Sequence, residues 1–94
     1  MRLPTICRIV VYRSKTGNYS LPAIVTATQE SLWPEGVERG DVPALASETH
    51  VHLHVFTPGA QGSYTEHDVP HDRPGNYEHG APGTWHWPDE VRGP

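Results

Sequence analysis

Three histidines at alternate positions, His50-x-His52-x-His54, are the densest group of chemistry-bearing side chains in the sequence. Residues two apart on a strand share a face and lie about 6.8 Å apart, so two imidazoles at this spacing can converge on one ion. A third ligand would come from His67, Asp68 or Glu66. A tetrahedral zinc or an octahedral site would then need one or two more ligands. The competing reading, which we prefer, places the three histidines on the wet face of a half-buried strand.

A second group is aromatic. Trp85 and Trp87 share one face of the short run Thr84–Trp87, with His86 on the other, and Trp33 and Tyr64 fall in or near turns. Aromatic planes on a small β-barrel stack planar ligands, and base–aromatic stacking contributes about 1–3 kcal/mol. With Arg8, Arg13 or Arg73 supplying positive charge, Trp85, Trp87 and Tyr64 would make a pocket for a small anionic, nucleotide-like molecule. The alternative is that both tryptophans cap the core, replacing the aliphatics that the last third of the chain lacks.

Catalytic patterns are weak by comparison. Ser63, His67 and Asp68 supply the side chains of a triad, but adjacent positions face opposite sides of a strand. Glu66 and Asp68 would share a face, where two solvated acids on an edge are the common meaning. The sequence has no nucleophile elbow, phosphate loop, Gly-x-Gly-x-x-Gly or His-Glu-x-x-His. The expectation is a non-enzymatic binding protein without a cofactor.

The elements that must position these groups are few. At 94 residues the chain is read as one domain, 1–94. Of 17 Val, Ile and Leu residues, 15 precede Pro58. The last 37 residues carry six prolines and six glycines and cannot fold alone, because ordering each residue costs about 1–2 kcal/mol. So small a domain buries only about 60% of its extended-chain surface, which makes a homo-oligomer the expected state.

Net charge is −4, and Arg8, Arg13 and Lys15 form the one local basic patch. A duplex nucleic-acid partner is therefore disfavoured. Protonating all seven histidines would carry the charge to +3. Cys7 is single, which fits a reducing compartment. No apolar run approaches the ~18 residues of a membrane span, and Arg8 interrupts the one short apolar run near the start. A soluble cytoplasmic protein is expected.

Residues 6–13 are β-branched and aromatic and predict a first strand, with a turn at 14–18 and a second strand at 21–29. Pro22 suits only a strand start or an edge. Residues 30–47 lack a clean period and read as a long connection with room for one short helical turn. Residues 49–57, THVHLHVFT, alternate strictly, so Val51, Leu53 and Val55 belong in the core and His50, His52 and His54 outside it. A turn at 58–62, a return strand at 63–69, an irregular loop at 70–83 and a closing strand at 84–87 complete the reading. Five short strands without a helical crossover predict an all-β fold, a small antiparallel barrel or sandwich of SH3-like or OB-like type. The closing strand either completes the sheet or pairs with a second subunit, with at least one tryptophan left accessible.

The segment Pro82-Gly83-Thr84-Trp85-His86-Trp87-Pro88, taken with 8–12 (RIVVY), 22–26 (PAIVT) and 51–56 (VHLHVF), resembles a group of small proteins encoded by actinobacteria and their phages. The resemblance runs in order along nearly the whole chain. It implies a phage or prophage setting and a compact β domain. In that setting a small acidic binding protein would sequester a nucleotide-like host defence signal or a host protein; a minor virion component is the alternative.

Overall fold

β-Branched and aromatic residues dominate Ile9–Arg13, and this run forms β1 in the computed structural model, which describes residues 3–59, 62–72 and 81–88. β2 (Ser20–Ala27), β3 (Val51–Phe56) and β4 (Ser63–Val69) follow as successive antiparallel neighbours. β5 (Trp85–His86) pairs antiparallel with β1, giving one all-β sheet of order β4-β3-β2-β1-β5.

β1 starts later than residue 6 for a local reason. Cys7 has φ 72°, and both Cys7 and Arg8 oppose Val25: the Cys7 N–H donates to Val25 O, and the Val25 N–H to Arg8 O, each at 2.9 Å. This two-against-one pairing is a β-bulge, and it ends regular pairing there. Pro22 is tolerated inside a central strand because the β2–β3 ladder begins one residue later, at Ala23 opposite Val55.

The inner face collects Val10, Tyr12, Leu21, Ala23, Val25, Val51, Leu53, Val55 and Val69, with Trp85 and Trp87 laid over them. The alternation in 51–55 thus does what period 2 requires. Trp85 is fully buried, and its indole N–H donates to the Thr49 carbonyl at 3.0 Å, reaching from β5 to the approach of β3. Trp87 packs edge-on against it, with centroids 5.2 Å apart. The expectation that one tryptophan stays accessible is corrected: with so few aliphatics after Pro58, both are consumed as core.

β5 is bonded on both sides. Towards β1, the Arg13 N–H donates to Thr84 O and the Gly83 N–H to Arg13 O. On the other side the Trp85 N–H donates to Pro70 O, and the Asp72 N–H to Trp85 O, through a parallel bridge of His71 with Trp85. The chain leaving one edge strand, β4, therefore meets the strand at the opposite edge. β5 completes the sheet, and its backbone leaves little to offer a second subunit.

The connection between β2 and β3 holds one short helix, α1 (Pro34–Arg39), closed by Gly40 at φ 81°. Gly36 is buried inside it, and a Cβ there would run into the Trp33 ring. Beyond α1 the chain crosses the outer face at the start of β3. Pro43 O accepts from His52 Nε2 at 2.8 Å, and the Ala46 N–H donates to Asp68 Oδ1 at 2.9 Å. His52 is consequently buried, contrary to its placement on a wet face. Among the described residues no helix is long and apolar enough to cross a membrane.

Candidate ligand-binding cleft

Tyr12 points to the inner face at the end of β1, where the sheet opens into a cleft of about 590 Å³. That volume lies within the ~300–1,000 Å³ usual for small-molecule sites. The β1–β2 turn supplies one wall through Lys15, Thr16 and Tyr19, and the β3–β4 turn another through Thr57, Pro58 and Gly59. Tyr64 and Glu66 come from β4. They stand opposite Val55 and Leu53, which places them on the same inner side as the core.

The β1–β2 turn is held firmly. The Ser14 N–H donates to Tyr19 O, the Gly17 N–H to Ser14 O, and the Tyr19 N–H to the buried Ser14 hydroxyl. Arg13 clamps the same turn from outside, donating to Ser20 Oγ at 3.0 Å and to the Gly17 carbonyl. Gly17 needs its φ of +77°, and a Cβ there would also lie 3.3 Å from Pro82. The Pro82–Gly83 segment thus braces the turn that carries Lys15 and Tyr19.

A polar cluster lies in the cleft. The Tyr12 hydroxyl donates to Glu66 Oε2 at 2.6 Å, and Lys15 Nζ lies 3.5 Å from the same oxygen. Burial first, then the hydrogen bond to Glu66 and that carboxylate's charge, push the Tyr12 phenol well above the usual tyrosine range. Burial and the Glu66 charge raise Tyr64 in the same direction. Both phenols are neutral donors at physiological pH. Tyr19 and Tyr64 remain 60% and 38% exposed, enough to offer ring surface to a ligand.

The residues expected from sequence are distributed otherwise. Tyr64 alone of the proposed ligand set lines the cleft. Trp85 and Trp87 are core, so neither can serve as a stacking platform. Arg8 is exposed beside Thr5, at the other end of β1. Arg13 positions the turn without lining the cleft, and Arg73 lies outside the described residues.

The histidine row does not converge. His52 uses Nδ1 to accept from the Asp68 N–H at 3.0 Å and Nε2 to donate to Pro43 O. Both ring nitrogens are thereby committed to backbone. His50 pairs with Ser47 Oγ at 2.6 Å, before β3 begins, and His54 packs edge-on against Phe56. His67 meets the His52 ring edge-on, and among the described residues no three His, Cys, Asp or Glu side chains are grouped to hold a metal. Glu66 and Asp68 do not share a face either. A bulge puts His67 and Asp68 opposite His52, and Asp68 takes φ 52°.

Lys15 was visible in the sequence as part of a basic patch, and Glu66 as one of an acid pair. Tyr12 and Tyr19 were missed. The signal that would have found the site is Tyr64-x-Glu66, an aromatic and an acid at the inward positions of a return strand. No protein-family model, curated protein or solved structure matches the chain.

Proposed function

We propose that this chain is a non-enzymatic binding protein that takes a small planar, nucleotide-like molecule in the cleft between its two turns. The observation that carries the reading is the cleft itself: exposed rings of Tyr19 and Tyr64 around a Tyr12–Glu66–Lys15 cluster. Rings supply stacking surface, Glu66 accepts from ligand N–H groups, and Lys15, 77% exposed, can turn its ammonium from Glu66 to meet a phosphate. The phage or prophage setting that the sequence implies is part of this proposal, in which the protein acts as a sponge for a host defence signal in the bacterial cytoplasm. Thermal-shift screening of the purified protein against mono-, di- and cyclic nucleotides tests this. A concentration-dependent rise in Tm that Tyr64→Ala removes is the expected result, and flat curves across the panel would overturn it.

A second partner is favoured by one further observation. The outer sheet face carries Ile9, 61% exposed, beside Ile24 in the β1–β2 register, and Val11 beside Pro22, with Phe56 exposed on β3. His54, opposite Ile24, and Arg13, two residues past Val11, border these apolar positions, and a second copy of the chain is the partner proposed to cover them. Light scattering tests it: a dimer that Ile9→Glu converts to monomer is expected, and a monomer at all concentrations would remove the idea.

A further inference from the structure

We infer that the cleft, granted that it is the small-ligand site proposed above, selects a guanine-type base, read by the Glu66 carboxylate. Glu66 is held in one orientation, because the buried Tyr12 hydroxyl donates to its Oε2 at 2.6 Å. An ionised carboxylate has two oxygens and about four acceptor positions and offers no donor. One of these positions goes to Tyr12 and one faces Lys15 at 3.5 Å. Oε1 remains, together with the Oε2 position that Lys15 vacates on turning to a phosphate.

Guanine presents two parallel donors on one edge, its ring N1–H and its 2-amino group, which match two carboxylate oxygens. Adenine sets a ring acceptor beside its amino donor, so one carboxylate oxygen would face a lone pair. Hypoxanthine keeps the N1–H and loses the amino group. A site built to accept two N–H groups discriminates against a base that offers one or none, since its own acceptor is left unpaired. A cationic amidine or guanidinium would satisfy Glu66 equally, but Lys15 at the same carboxylate repels it. The neutral base with an anionic phosphate suits the pair. Tyr19 and Tyr64 then supply ring surface for stacking.

Titration calorimetry of the full chain with GMP, IMP and AMP tests the inference on the unaltered protein. GMP should bind about tenfold to a hundredfold more tightly than AMP, the range for hydrogen bonds to a charged acceptor, with IMP between them. Glu66→Gln should bring the three affinities together while its circular dichroism melt stays cooperative. Tyr12→Phe, which frees the carboxylate to rotate, should narrow the GMP–AMP gap without closing it. Equal affinity for GMP and AMP in the unaltered protein overturns the guanine assignment and leaves the small-ligand reading standing. Absence of binding by any nucleotide overturns both.

Discussion

The backbone N–H of Asp68 donates to Nδ1 of His52 at 3.0 Å, across the bulge between β3 and β4. His52 Nε2 then carries the proton and gives it to Pro43 O, while the Asp68 carboxylate accepts from the Ala46 N–H. Two side chains thus pin the crossing segment to the outer face through two hydrogen bonds, and the third, from the Asp68 N–H, orients the His52 ring. His52→Ala would leave a donor and an acceptor without partners and should cost about 1–3 kcal/mol. His54→Ala, on a half-buried side chain without such bonds, should stay within about 0.5 kcal/mol. Urea unfolding of the two variants checks the ranking.

Asp68 holds φ 52°, a conformation that costs most L-residues about 1–2 kcal/mol. Asp68→Gly and Asp68→Ala both lose the bond to Ala46, but glycine relieves the backbone. The glycine variant should be the more stable of the two by about 1 kcal/mol. Asp68→Asn keeps an acceptor and a tolerance for this φ, and should melt close to the unaltered protein. Equal melts for the glycine and alanine variants would show that the bulge relaxes freely.

Trp85 is fully buried and hydrogen-bonded to Thr49 O, with Trp87 packed on it. Trp85→Ala should cost about 3–5 kcal/mol, a large part of the ~5–15 kcal/mol that a whole domain commands. Trp87→Ala should also weaken folding rather than act on binding alone. A chain ending at Ala81 loses β5 and should fail to give a cooperative melt. A cooperative melt from that shortened chain would contradict the role assigned to β5.

Tyr12 carries its hydroxyl proton to higher pH in the folded chain than in the unfolded one, whose tyrosines titrate near pH ~10. Below about pH 10 both states hold the proton and the contribution is fully present. Above it the unfolded chain binds fewer protons, so stability falls as pH rises towards the folded value. Urea midpoints at about pH 8 and about pH 11 should therefore diverge, and Tyr12→Phe should reduce the divergence. Tyr64, shifted the same way, sustains a remainder.

Much of the sheet was legible because its signals are local. Alternation in 49–57, β-branching in 9–13 and the Pro/Gly punctuation each depend on neighbours within a few residues. Burial of His52 was not, because period 2 assigns it to the outer face correctly but says nothing about what crosses that face. The crossing segment, residues 43–47, has no period to betray its path. The cleft was hidden for a similar reason. Tyr12 and Glu66 are 54 residues apart, and only the β1–β2–β3–β4 meander brings them to 2.6 Å. The tryptophans stand out in the sequence, but their choice between core and pocket does not, since a short strand flanked by prolines reads alike whether it closes a core or rims a pocket.

The double pairing of β5 also governs when the protein can come into being. A nascent chain that has emerged only as far as Val69 already holds β1 to β4, yet Val10, Tyr12 and Leu53 lie uncovered and the β1 edge stands open. Such an intermediate is a substrate for chaperones and proteases, and a template for pairing with another chain. That edge is covered once Trp85 takes its place between β1 and residues 70–72. Contacts of such sequence separation form more slowly than a local hairpin, which prolongs the stage at which the open sheet is at risk.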